Sequence, residues 1–316
     1  MKKEKYYDKI SKMNIFTINE RSGILSPAKV DKYNDRILDL LSIYLNLNSD
    51  FITEGMMQVL MDECGLSAEE AFSILTAEAC GLDIENKPDD MELYEKYFPY
   101  MFHSLNVEDY ESNPYYKNIK IKDAEIGRWN LKNEIFKPYE AFVFNDLKKM
   151  NDGRIIPQIG FFTSEFKFPA VLEDNREWML VTPNEVETMK KAIDKASGKI
   201  LTYGLGLGYY AYMTSEKEDV TSVTIVEKDK NVIALFEKYI LPQFNNRDKI
   251  RIINEDAFIY AENYVQKENY NFIYTDIWHD TYDGIDMYLK MKEYESLSPD
   301  SKYMYCIEDT MLCYIE

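Results

Sequence analysis

The chain has 316 residues, and its 56 acidic against 37 basic side chains give a net charge of −19. A hydrophobic share of 46% makes disorder not the default, and so acidic a surface argues against a nucleic-acid wrapper, because holding a polyanion rests on clustered Lys and Arg, though it leaves room for a local basic groove. No apolar run approaches the roughly 20 residues that span a bilayer, and the opening Met-Lys-Lys-Glu-Lys-Tyr-Tyr-Asp has no signal-peptide core, so a cytoplasmic protein without membrane partners is expected.

Apolar residues at Val30, Tyr33, Ile37, Leu40 or Leu41, and Tyr44 fall on one helical face. A capping box, Ser67-x-x-Glu70, then precedes the run Phe72, Ile74, Leu75. A helical N-terminal domain is therefore expected over 1–115, its stripes being core. The pattern is lost between Asn106 and Trp129, where Asn113-Pro114 and Gly127 mark a boundary region. The β-like runs Glu140 to Asn145, Ile155 to Thr163, Pro169 to Leu172 and Trp178 to Val181 follow, and are read as one small antiparallel layer within a connecting region, 116–181.

From Thr182 the signals alternate. Thr182-Pro183-Asn184-Glu185 combines an N-cap, a proline at the first helical position and a capping-box glutamate, with Gly198 expected to close the helix. Strands at Lys199 to Tyr203, Ser222 to Val226, Ile250 to Ile253, Phe272 to Thr275 and Tyr303 to Ile307 each follow a helix-patterned stretch, which predicts an α/β domain with an open parallel sheet over 182–316.

Gly204-Leu205-Gly206-Leu207-Gly208 lies between the first strand and the next helix, where such a fold places a nucleotide-binding glycine loop. Read from Gly206, the string Gly206-x-Gly208-x-x-Ala211 also satisfies the dinucleotide fingerprint. Glu227, about twenty residues on, fits either reading, since an acid there accepts from ribose hydroxyls. Asp256 and Asp276 end the third and fourth strands, so three carboxylates are expected to line one crevice. A pyrophosphate is disfavoured there, and a ligand with a positive centre, an adenine amino group and ribose hydroxyls is favoured.

These residues resemble class I S-adenosylmethionine-dependent methyltransferases, including the related spermidine-synthase group, over the first five strands. The resemblance implies a Rossmann-like methyltransferase sheet and S-adenosylmethionine as cofactor. It further implies contacts from Gly204, Leu205, Gly206 and Gly208, a ribose-binding Glu227 followed by Lys228, an adenine-binding Asp256 followed by Ala257, and an Asp276 facing the methionine end. Thr202 stands where many members carry an acid and spermidine synthases do not.

Asp276-Ile277-Trp278-His279-Asp280 supplies the catalytic candidates, Asp276 to orient a nucleophile and His279 to deprotonate it, against a structural role for His279 on Asp280 or Asp283. A spermidine synthase would show a second aspartate three residues after Asp276 and then proline, where this chain has His279 and Asp280. Methyl transfer to a small-molecule or protein substrate is therefore the leading expectation, with aminopropyl transfer or a non-catalytic cofactor-binding module as alternatives. Trp129, Trp178 and Trp278 are candidates for an aromatic wall or for core, and Tyr209 and Tyr210 either close over the methionine moiety or anchor the helix. The four cysteines lack a Cys-x-x-Cys pair and read as buried thiols, and with only His103 and His279 as imidazoles no metal site is expected. The fifth strand is the last one legible, so the sheet is read as shortened at the C-terminus. Its edge is to be covered by one of the β-like runs, by Asp309 to Glu316, or by a second copy in a homodimer.

Overall fold

Apolar side chains recurring every three to four positions fold the first described stretch of this computed structural model into helices; residues 25–174 and 176–315 are described. Helix α1 (Pro27–Asn48) buries Val30, Tyr33, Ile37, Leu41 and Tyr44, the face that the spacing picks out. Helix α2 (Glu54–Cys64) stops at a left-handed Gly65. Helix α3 (Ala68–Ala79) opens on the expected capping box, Ser67 Oγ accepting from Glu70 N–H at 3.2 Å and Glu70 Oε2 from Ser67 N–H at 2.9 Å. Helix α4 (Pro88–Tyr97) and strand β1 (Phe102–Leu105) follow. The stretch read as a boundary holds two short helices, α5 (Val107–Glu111) and α6 (Pro114–Asn118), then strands β2 (Ala124–Ile126) and β3 (Trp129–Phe136).

The β-like runs become β4 (Phe142–Lys149), β5 (Ile155–Phe162), β6 (Phe166–Glu173) and β7 (Arg176–Leu180). They do not form one antiparallel layer. β5 lies between β1 and β4, paired parallel with β1, while β6 pairs antiparallel with β7 in a separate sheet of order β2-β3-β6-β7. Seven of the eight β5 residues are buried, as a central strand requires, and period-two alternation carries no information about which strand is the neighbour.

Two compact units result. One comprises residues 25–106 with Phe136–Val143 and Leu147–Phe166, and its core includes Phe72 stacked on Phe161 at 4.1 Å. The other comprises Val107–Ile135, Phe144–Asp146 and the described residues from Lys167 onward.

The second unit carries α7 (Pro183–Lys195), β8 (Gly198–Tyr203), α8 (Tyr209–Ser215), β9 (Val220–Glu227) and α9 (Lys230–Leu235). It continues through β10 (Ile250–Asn254), α10 (Ala257–Asn263), β11 (Phe272–Thr275), α11 (Thr281–Glu293), β12 (Lys302–Tyr305) and α12 (Glu308–Ile315). The sheet order is β10-β9-β8-β11-β12, with every pair parallel. Numbered from β8, that order is 3-2-1-4-5, the Rossmann-like succession, with its topological switch between β8 and β11. Apolar residues cover both faces: Ile200, Val223 and Phe272 join one cluster, and Leu201, Val226 and Ile273 join another. Both-face burial is what an all-parallel sheet demands.

Gly198 departs from its expected role. The helix ends at Lys195 with Ala196 extended, and Gly198, at φ 70°, instead starts β8 by donating to Asp219 O at 2.7 Å. A Cβ there would lie 2.4 Å from Asn271 Oδ1, so the glycine serves the strand entry. The edge of β12 is also resolved in part: among the described residues no strand pairs with its outer side, and the closing segment is the helix α12, which offers no ladder. No helix among the described residues is long and apolar enough to cross a membrane.

Candidate active site

Beyond the carboxyl ends of the parallel strands lies a cavity of about 680 Å³. The loop after β8 contributes Gly204, Leu205, Gly206 and Leu207; β9 contributes Val226 and Glu227, with Lys228 just after it; the turn after β10 contributes Asp256, with Ala257 opening α10; the loop after β11 contributes Asp276 and His279. The structure thus brings together nine of the ten residues singled out for the site. Gly208 stands apart: it is buried, with φ 75°, and a Cβ on it would lie 2.3 Å from the Phe236 ring.

The glycine loop is held from behind. Tyr115 Oη on α6 donates to Leu207 O at 2.7 Å, and Asn113 Nδ2 donates to Tyr209 Oη at 2.9 Å. Tyr209 is thereby a helix anchor as well as a cavity residue. Gly204, at φ 93°, passes so close to β11 that a Cβ would fall 1.9 Å from Asp276 O, whereas at Gly206 a Cβ would meet nothing within 4 Å. Gly206 is therefore the position where backbone is bared to a ligand.

Glu227 accepts Leu205 N–H at 3.3 Å through Oε2 and Asp229 N–H at 2.8 Å through Oε1. Each carboxylate oxygen keeps a second lone pair, so the group is oriented and can still accept from a diol. Burial raises its pKa above the usual carboxylate value. Asp256 caps α10, its Oδ1 accepting from Phe258 N–H at 2.9 Å and Ile259 N–H at 3.2 Å, which leaves Oδ2 for an amino group. Lys228 is exposed at the rim and Ala257 is buried.

Among the described residues Asp276 has no cationic partner, and burial pushes its carboxyl up to about 6. Glu185, which the sequence offers only as a helix cap, faces the same cavity: Oε2 accepts from Thr182 N–H at 2.8 Å and from Thr182 Oγ1 at 2.5 Å, and burial pushes it up to about 7. Cys306, after β12, lies against Asp276 and Tyr274 and is one of the partly buried residues that line the cavity. Tyr210 and Tyr274 stack at 4.2 Å, and neither hydroxyl has an oxygen or nitrogen partner although the residues are only 5% and 1% exposed. Both hydroxyl oxygens are closed off from the cavity surface, so they carry a buried-polar cost and make no ligand contact in this arrangement.

At the mouth, Trp178 on β7 packs edge-on to Trp129 at 6.1 Å and against the His279 ring at 5.5 Å. His279 is exposed; its backbone N–H donates to Asp283 Oδ1 at 3.1 Å, so the structural role allowed for it belongs to its main chain and not to its ring. Trp278 is buried against Tyr288 and Tyr305. Basic side chains at the cavity are Arg128 and Lys228; Arg128 is occupied by Glu173 at 2.8 Å and Asp229 at 3.5 Å. Glu185 and Cys306 were not foreseen as cavity residues. A capping motif conceals the first, and the second carries no motif at all.

No protein-family model and no curated protein sequence matches the chain. Solved structures similar to part of it include spermidine synthase from Thermotoga maritima, at 16% identity and a TM-score of 0.31 over 43% of this chain and 50% of that one. A spermidine synthase in complex with the transition-state analogue AdoDATO gives 16%, 0.30, 43% and 49%, and a chain assigned as an O-methyltransferase from Klebsiella pneumoniae gives 15%, 0.26, 33% and 44%. The chain spans half or less of the length of these structures. Scores this low carry no argument about activity, which rests on the site itself.

Proposed function

We propose that the chain is an S-adenosylmethionine-dependent methyltransferase acting on a small-molecule or protein substrate. The observation that carries this reading is the oriented Glu227 carboxylate at the carboxyl end of β9 in a Rossmann-like sheet, in a crevice whose other fixed charges are mainly carboxylates. Such a crevice attracts a sulfonium and repels a pyrophosphate. The residues present suit the cofactor: Gly206 bares backbone, Glu227 keeps lone pairs for a ribose, and Asp256 keeps Oδ2 for an adenine amino group.

When bound, the cofactor supplies an already activated electrophilic carbon, so the protein's work is mainly orientation. Asp276 would accept a hydrogen bond from the nucleophile and fix its approach. His279, at the mouth beside Trp178, would take a proton from the nucleophile or pass it to solvent. The aromatic pair Trp129 and Trp178 would exclude water from the entrance.

Aminopropyl transfer from the decarboxylated cofactor is the second reading. It is favoured by the placement of Arg128 and Lys228, which both lie on the Glu227 and Asp229 side and leave the Asp276 end without a cation for a methionine carboxylate. Incubation with each cofactor and a panel of amine, hydroxyl and carboxylate acceptors, read by mass spectrometry, separates the two: the proposal expects a product gaining a methyl group. A gained aminopropyl group selects the second reading, and no product with any acceptor favours the non-catalytic module. With an acceptor in hand, Asp276→Asn and His279→Ala should each lower turnover by roughly a hundredfold or more, with a smaller effect on cofactor affinity.

A further inference from the structure

The first two turns of α7 bring Asn184, Glu185 and Thr188 to the cavity. Glu185 Oε2 is held by the Thr182 N–H at 2.8 Å and hydroxyl at 2.5 Å, while no hydrogen bond from another residue reaches Oε1 among the described residues. Asn184 spends its backbone N–H on Thr182 Oγ1 at 3.3 Å, and its side-chain amide has no partner among the described residues. The cap therefore accounts for one oxygen of the Glu185 carboxyl and for none of the cavity lining. The titratable groups whose charge reaches Glu185 are Asp276 after β11, Tyr116 of α6, Tyr209 of α8 and Cys306 after β12. Burial raises the pKa of the two tyrosines and the thiol, which keeps them neutral, and no cation pairs with Glu185 among the described residues. Burial also pushes Glu185 up to about 7, so its acid and base forms coexist near neutral pH.

We propose that Glu185 is a catalytic residue that takes the proton from a phenolic acceptor, with the Asn184 amide donating to the phenol oxygen as its charge builds. The inference rests on the transferase reading and supplies it with a base and an acceptor class. Trp129, Trp178, Met179, Leu180 and Met287 give the cavity an apolar and aromatic side for a ring. The acids would repel a carboxylate acceptor, and they would hold an amine in its ammonium form, whose lone pair is spent. An aliphatic hydroxyl is far less acidic than a phenol, which loses its proton near about 10 and so lies within reach of a base at about 7. The step balances. The phenol O–H bond breaks and its proton goes to Glu185 Oε1, the oxygen's electron pair forms the bond to the methyl carbon, and the carbon–sulfur pair stays on sulfur and cancels its positive charge. The His279 ring, exposed at the mouth against Trp178, is then left to pass the proton on to solvent.

The probe is para-nitrophenol, because its ionised form is coloured and reports the proton without turnover. Bound beside the Glu185 carboxylate it should keep its proton to about one pH unit above the free compound, since two negative charges would otherwise meet. Glu185→Gln keeps the cap, because a capping box accepts glutamine, and should bring that midpoint back down by about one pH unit. With S-adenosylmethionine and the phenols of the acceptor panel, the same variant should lower turnover roughly a hundredfold or more. Its affinity for S-adenosylhomocysteine should stay unchanged. A role confined to the cap moves neither the midpoint nor the turnover.

No binding of para-nitrophenol, equal midpoints in the two proteins, or equal turnover in the two would overturn the proposal. Binding of S-adenosylhomocysteine with no phenol methylated would overturn it as well. A midpoint that depends on Glu185, with no binding of S-adenosylhomocysteine, keeps Glu185 as the phenol's proton acceptor and removes the transferase reading. Methyl transfer to amine or carboxylate acceptors alone does the reverse.

Discussion

Gly204, Gly206 and Gly208 all have positive φ, yet an added Cβ would meet something different at each. At Gly204 it would strike a backbone carbonyl, at Gly208 the Phe236 ring, and at Gly206 nothing within 4 Å. The motif is legible in the sequence because glycine is needed at all three, but the division of labour is not, since it depends on what the residues just after β11 and α9, Asp276 and Phe236, bring alongside. Gly206→Ala should therefore cost only about 1 to 2 kcal/mol, the left-handed strain, while obstructing an adenosyl ligand. Gly208→Ala should add the cost of overpacking, about 1 to 3 kcal/mol, to that strain. Denaturant melts paired with ligand titration check both, and comparable loss of ligand with unimpaired folding in Gly208→Ala would place that glycine in the site after all. Glu185 shows the opposite limit of sequence reading: its capping box is present as expected, and the same motif hid the fact that the residue also lines the cavity.

Among the elements, the best-read ones had a local cause. The faces of α1 and the boxes opening α3 and α7 rest on residues three or four apart, and they stand where expected. The parallel strands were legible because each is short, apolar and separated from the next by a helical stretch. Partnership between strands was not legible: β6 and β7 were grouped with β4 and β5, and only the three-dimensional pairing separates them. The same applies to β12, whose free edge is four residues long and includes an exposed Lys302, a feature that discourages strand addition. That edge counts against the homodimer expected from the sequence, with two copies paired across β12, so light scattering at low concentration should report the 37.3 kDa of one chain, and twice that mass would show the pairing to form despite Lys302. A single-chain mass in the unaltered protein would mean that the short edge stays solvated.

For the whole molecule, the acidic balance seen in the composition is repeated in a crevice where Glu185 and Asp276 have no ion-pair partner among the described residues. That arrangement makes stability depend on pH in a fixed direction. Glu185 is raised from 4.5 to about 7 and Asp276 from 3.8 to about 6, so the folded state holds these protons more tightly than the unfolded chain does. Their contribution is complete below the unfolded values and is lost as pH rises through about 6 for Asp276 and about 7 for Glu185. The ligand-free protein should lose up to about 3 kcal/mol from these groups on going from about pH 5 to about pH 8, and Glu185→Gln should flatten the slope. A denaturation midpoint rising with pH over that window, with the variant unchanged, would contradict this.

The central claim is that the crevice at the switch point binds an adenosyl-sulfur ligand through Glu227. Calorimetric titration of the unaltered protein and of Glu227→Ala with S-adenosylhomocysteine and with NAD tests it most directly. The account predicts binding of S-adenosylhomocysteine, no binding of NAD, and a loss of about 1 to 3 kcal/mol in the variant from unsatisfied ribose hydroxyls. Tight NAD binding with none of S-adenosylhomocysteine would contradict it.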